Sequence, residues 1–227
     1  MSEFRVAALV CEGQTDVPVL KELVWKLWPE IGDVRVLQPE LDEMGRVPTG
    51  GRAGWSEVKA WCDQNAADLD SLFQPLAGDP VDLLIVAMDM DVALEASIEN
   101  PPRVAGAYEA PRLRATITSW LMSGAQAPLP AQIVVSTPVM AIEAWVIKAL
   151  FRHATPERIS NPAQFLVDKK KLRKSPNDGK PWKELHLYRQ FAKVVASKIA
   201  AVRKGCKEAE RTCRGIEGRR AALTTQG

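Results

Sequence analysis

Residues 4–10, Phe-Arg-Val-Ala-Ala-Leu-Val, are almost continuously apolar and stop at Cys11-Glu12-Gly13, the pattern of a buried parallel strand running into a turn. From Asp16 the period changes. Val17, Leu20, Leu23, Val24 and Leu27 recur at three and four residues, which predicts a helix with Thr15 or Asp16 as N-cap and Pro18 in its first turn. A second strand is expected over 33–38. The Gly-rich stretch 46–55 has no period and reads as an exposed loop, and Val58, Trp61, Cys62, Leu69 and Leu72 mark the next helix. Residues 81–88, Val-Asp-Leu-Leu-Ile-Val-Ala-Met, form the strongest strand pattern and end on Asp89-Met90-Asp91. A helix over 111–123, a strand over 131–137 and a helix over 139–150, begun after Pro138, complete the alternation. That order of elements predicts an α/β fold, a doubly wound and mostly parallel sheet.

Beyond residue 155 the pattern changes to a short helix, a polar loop, and a long helix whose apolar face is Leu187, Phe191, Val194, Val195, Ile199 and Val202. Lys183, Arg189, Lys193, Lys198, Arg203 and Lys204 surround that face. The stretch 205–222 is basic and weakly apolar, and is expected to fray. The expected organisation is a catalytic unit over 1–154 and a basic helical extension over 155–227.

Charge sharpens this division. Residues 1–147 carry 21 Asp and Glu against 10 Lys and Arg, and residues 148–227 carry 7 against 20, so an overall +2 is the remainder of −11 and +13. An acidic pocket beside a basic surface suits a polyanion held against cations. No apolar run approaches the roughly 18 residues a membrane span needs, and the acid at position 3 followed at once by a strand leaves no signal peptide, so a cytoplasmic protein without membrane contact is expected. Cys11, Cys62, Cys206 and Cys213 show no CxxC pair and no His at ligand spacing, and read as reduced, buried thiols. Trp25, Trp28, Trp61, Trp120 and Trp145 fall at helical spacings and are expected in the core or at an interface. His153 and His186 stand apart from every acidic motif and take no role.

In a parallel sheet, ligands collect at the carboxyl ends of the strands, and that is where the acids fall. Asp89-Met90-Asp91 leaving a buried strand supplies two hard oxygen ligands suited to Mg²⁺ or Mn²⁺. Alone the motif is weak, because Asp pairs after strands are also ordinary helix caps. Glu12-Gly13-Gln14-Thr15-Asp16 adds an acid at the tip of the first strand, a glycine that lets the backbone turn closely, and an Asp at a helix start. Glu143, in Ala141-Ile142-Glu143-Ala144-Trp145, is placed about a turn and a half into an apolar helix, where a carboxylate is costly without a partner.

The Glu-Gly turn, the Asp-x-Asp and the Pro138…Ile142-Glu143-Ala144-Trp145 segment together resemble the TOPRIM fold, and within it the small single-domain proteins related to the OLD nucleases, often encoded beside ATPases in phage-defence loci. The resemblance covers about residues 5–150. It implies a Mg²⁺- or Mn²⁺-dependent nuclease with Glu12 as general base or ligand, Asp89 and Asp91 as ligands, and Asp16 and Glu143 completing or tuning a second position. It also implies a nucleic-acid substrate and an ATPase partner, and leaves the oligomeric state open. The chain departs from the family at Val92-Ala93-Leu94, where Gly or a polar residue is usual. Arg46 and Arg52, with Gly50 and Gly51, are candidates for gripping phosphates, as is the run Lys169, Lys170, Lys171, Arg173 and Lys174.

Other readings are weaker. A haloacid-dehalogenase-like phosphatase expects its Asp-x-Asp near the start of the fold and Thr or Val where Ala93 stands. A nucleotide-sugar transferase would leave the Glu-Gly turn unexplained, and the lack of GxxxxGK[ST] excludes a P-loop enzyme. The alternative from another class is a non-catalytic protein of the same fold that binds an ATPase or nucleic acid.

Overall fold

The computed structural model describes residues 4–91, 110–123 and 128–225, so Val92–Leu94 lie outside the described residues. Four strands, β1 (Arg5–Val10), β2 (Ile31–Gln38), β3 (Leu83–Ala87) and β4 (Ile133–Ser136), form one sheet in the order β2-β1-β3-β4, and every pairing is parallel. β1 and β3 are therefore neighbours at the centre, with Val10 opposite Val86. Because side chains alternate across a strand, both faces of β1 must be covered, and both are. Ala7 and Leu9 pack with α1 (Asp16–Leu27) and α5 (Glu143–Phe151), and Val6, Ala8 and Val10 pack with α2 (Trp55–Asn65), α3 (Leu69–Phe73) and α4 (Ala110–Leu121). The fold is α/β with a parallel sheet between two helical layers. Among the described residues no helix is long and apolar enough to cross a membrane.

The C-terminal third belongs to the first of these layers. After α6 (Pro162–Asp168) and the two-stranded hairpin of β5 (Arg173–Lys174) and β6 (Pro181–Trp182), helix α7 (Leu185–Ser197) puts Tyr188, Phe191, Ala192 and Val195 into the same core as α1. The expected long helix is broken at Lys198, where α8 (Ile199–Gly205) begins.

The expectation that 205–222 frays is corrected by α9 (Lys207–Thr224), which buries Ala209, Thr212, Cys213 and Ile216. Apart from Ile216 its buried stripe is built of small residues, which carry little hydrophobicity individually but allow close approach to β4. Ser136 and Thr212 share a hydroxyl hydrogen bond of 2.8 Å, and Arg114 from α4 pairs with Glu208 at 2.5 Å. A Cβ added at Gly215 would lie 2.9 and 3.0 Å from the two methyl carbons of Val134. Gly215→Val is expected to lower stability by about 1–3 kcal/mol through overpacking, measured by urea unfolding.

Glu143 is likewise displaced from its expected place. Residues 137–142 do not continue a helix: Met140 has φ +65°, a costly conformation for a buried non-glycine residue, and α5 begins at Glu143 itself. This irregular bridge ends at Glu143, which opens α5 with its side chain fully buried.

Candidate functional site

Glu12 and Asp89 leave neighbouring strands at the same end of the sheet, and the backbone N–H of Asp89 donates to Glu12 Oε1 at 2.7 Å. The chain after β3 is held level with the chain after β4 by Met88 N–H to the Ser136 carbonyl at 3.0 Å and Met90 N–H to the Pro138 carbonyl at 2.9 Å. Asp16, the first residue of α1, accepts the Gly13 N–H at 3.0 Å, so the Glu-Gly turn is closed by its own acid. Glu12, Gly13, Asp16, Asp89 and Asp91 line a cleft of about 430 Å³. The acids separated along the sequence thus meet at one place, with Asp91 at its exposed rim.

Their electrostatics follow from crowding. Burial, then the charge of Asp16, pushes Glu12 up to about 8, against the opposing pull of the Asp89 N–H. Burial likewise raises Asp16 to about 7, despite the nearby Lys183 ammonium. Asp89 is raised well above the usual carboxylate range by burial and by Asp16, Glu12 and Glu143. Three carboxyls that cannot all ionise cheaply are the signature of a site lacking enough positive charge.

Glu143 behaves differently. It is fully buried, which opposes its ionisation, yet the Lys183 ammonium at 2.8 Å and the Tyr188 hydroxyl outweigh that and hold it below its ordinary value. Burial opposes the charge of Lys183, but Glu143 and Asp89 outweigh it and raise its proton affinity. Both partners come from the C-terminal part of the chain, Lys183 just after β6 and Tyr188 from α7. In the sequence Lys183 is one of several cations around the apolar face of the long helix, and Tyr188 carries no motif. The signal available was the apolar setting of Glu143, which required a partner, and the fall of Tyr188 on the same helical face as Phe191 and Val195. Glu143 Oε2 is buried without a hydrogen-bond partner. Tyr188→Phe, which removes a donor from a buried carboxylate, is expected to cost about 1–3 kcal/mol, measured by chemical denaturation.

The loop 46–54 is docked beside the acids. Gly54 N–H donates to the Glu12 carbonyl and Val47 N–H to Gln14 Oε1, both at 2.8 Å, and Val47, Ala53 and Gly54 form one wall of the cleft. Gly54 has φ +100°, which glycine alone adopts readily. Arg46 is paired with Asp42, and Arg52 faces a separate polar pocket with Glu40 and Glu57. Lys169, Lys170, Lys171, Arg173 and Lys174 are exposed and none of them lines the acid cleft. Arg173 forks onto Glu184 at 2.9 and 3.2 Å and so braces the segment that carries Lys183.

The donors in the cleft are hard carboxylate oxygens, the set that Mg²⁺ and Mn²⁺ prefer, and the raised acids Glu12, Asp16 and Asp89 are what such a cation would satisfy. As they stand, no three His, Cys, Asp or Glu side chains among the described residues are grouped closely enough to hold a metal ion. Comparison with family models, curated proteins and solved structures finds no match for this chain.

Proposed function

We propose that the chain is a Mg²⁺- or Mn²⁺-dependent nuclease built on a TOPRIM-like sheet, hydrolysing phosphodiesters of DNA or RNA. The observation that carries this reading is the convergence of Glu12, Asp16, Asp89 and Asp91 on one cleft at the carboxyl end of a parallel sheet, with buried Glu143 linked to it through Lys183. A divalent cation held by Asp89 and Asp91, with Glu12 beside it, would stabilise the charge that develops on the phosphate. Glu12, whose proton affinity is raised by burial and by Asp16, takes a proton from the attacking water. Lys183 offers its ammonium to the phosphate, and Glu143 with Tyr188 holds that ammonium in place. Asp16 keeps the Glu12 turn closed. The resemblance to OLD-related proteins adds the expectation of a phage-defence role beside an ATPase.

A second reading is favoured by one observation: Lys183 already lies in the acid cleft as its positive charge. On that reading the lysine replaces the metal and the chain is a non-catalytic partner of an ATPase or of nucleic acid. Purified protein incubated with plasmid, single-stranded DNA and tRNA in Mg²⁺, Mn²⁺ or EDTA separates the two. Metal-dependent cutting that an Asp89→Asn, Asp91→Asn variant lacks supports the nuclease. No cutting of any substrate in either metal supports the non-catalytic partner.

A further inference from the structure

A second depression of about 340 Å³ lies between α1 and α7 and meets the acid cleft at Gln14, which lines both. Its composition is the reverse of the cleft's. Lys21 and Trp25 come from α1, Arg189 and Lys193 from α7, and Glu22 is the one acid in the lining. Each pair is spaced four residues apart, so each projects from one helical face with side chains about 6 Å apart. The groove is thus floored by apolar side chains, among them Val17, Leu41 and Leu185, and edged by three cations, Lys21 on one side and Arg189 with Lys193 on the other. Trp25, expected in the core or at an interface, is 40% exposed and lies along this groove rather than in the core. Lys21 is half-buried, and burial lowers its proton affinity, a cost that a bound anion would relieve. Arg189 is positioned by donating to the Met44 carbonyl at 2.6 Å, which leaves further guanidinium N–H groups for an anion.

We infer that this groove binds a single-stranded segment of the nucleic-acid substrate, one base stacking on Trp25 and the flanking phosphates meeting Lys21, Arg189 and Lys193. The inference rests on the nuclease reading and gives the substrate its path: the strand passes Gln14 on its way between groove and cleft. An aromatic face within a cationic channel is how single strands are held without sequence readout, since every base has a face to stack. A rigid duplex would not bring an unstacked base to a lone ring, so the groove discriminates for single strands or for frayed and looped ends.

The test is fluorescence anisotropy of a labelled oligonucleotide of about twelve residues, single-stranded or annealed, against the full chain in EDTA, so that nothing is cut. Trp25→Ala is expected to weaken single-strand binding roughly tenfold and Trp25→Phe to regain most of it. The Lys21→Ala, Lys193→Ala variant is expected to reduce the salt dependence of log K by about 1.4, two phosphate contacts of a single strand. If affinity and salt slope are the same in all three variants while wild-type protein still cuts, the groove inference fails and the nuclease stands. If the wild-type protein neither binds nor cuts any nucleic acid, the functional reading fails and the groove inference with it. A concentration-dependent dimer that Trp25→Ala dissolves would also overturn the inference, because a second copy would then occupy the groove.

Discussion

Asp89→Asn is expected to reduce metal-dependent cleavage by about 10³-fold or more and at the same time to raise the melting temperature of the metal-free protein. The loss would follow from removing a carboxylate ligand of the divalent cation proposed to stabilise charge on the phosphate, a factor that corresponds to about 4 kcal/mol. The gain follows from the same carboxylate being buried and repelled by Asp16, Glu12 and Glu143. Asparagine keeps the shape and removes that repulsion, so a rise of several degrees is expected, at roughly 2–4 °C per kcal/mol for a chain of this size. Opposite signs for activity and stability distinguish a functional cluster from a structural one. Calorimetry and a cleavage assay on the same two preparations would check both. A variant that is less stable as well as inactive would indicate that Asp89 supports the fold instead.

The metal-free protein should lose stability as pH rises from about 4.5 to about 8. Glu12 is raised to about 8 and Asp16 to about 7, so the folded chain binds protons more tightly than the unfolded chain across that interval. Stability that is present below the unfolded values is therefore lost as pH climbs through the folded ones. Glu143 has the opposite sign, because its folded value is depressed, and its contribution disappears only in acid. Each tenfold difference in proton affinity is worth about 1.4 kcal/mol, so the melting temperature should fall by several degrees between pH 5 and pH 8. Mn²⁺ should reverse the decline. At a hundred times its dissociation constant it would add about 2.7 kcal/mol, and the addition should be larger at pH 8 than at pH 6, because the carboxylates must be deprotonated to bind. Melting curves at three pH values with Mn²⁺ or EDTA would show this. A metal effect independent of pH would place the ion outside the acid cluster.

The parts of the site that could be read from sequence are those encoded locally. Glu12 and Asp89-Met90-Asp91 follow short apolar runs, and strand ends of a parallel sheet share one edge, so their meeting could be argued without coordinates. Glu143 was found because a carboxylate in an apolar helix demands a partner, but its place in the helix was missed, since nothing in 137–142 announces the left-handed Met140. The partners themselves, Lys183 and Tyr188, arrive from the far end of the chain through packing of α7 on α1. A lysine bordering an amphipathic helix looks the same whether it faces water or an acid. α9 was underestimated for a related reason: Ala209, Cys213 and Gly215 fit closely against β4, and close fit does not register as hydrophobicity. The exposure of Trp25 was hidden too, because helical spacing shows which residues share a face but not what covers that face.

The central claim is that the acid cleft takes a divalent cation, and direct titration of Mn²⁺ into the full chain at pH 8, followed by electron paramagnetic resonance, tests it with least interposed. Saturable binding by the wild-type protein, abolished or strongly weakened in Asp89→Asn and in Glu12→Gln, is the predicted result. Absence of binding, or equal binding by all three proteins, would contradict it and leave Lys183 as the cation of the site.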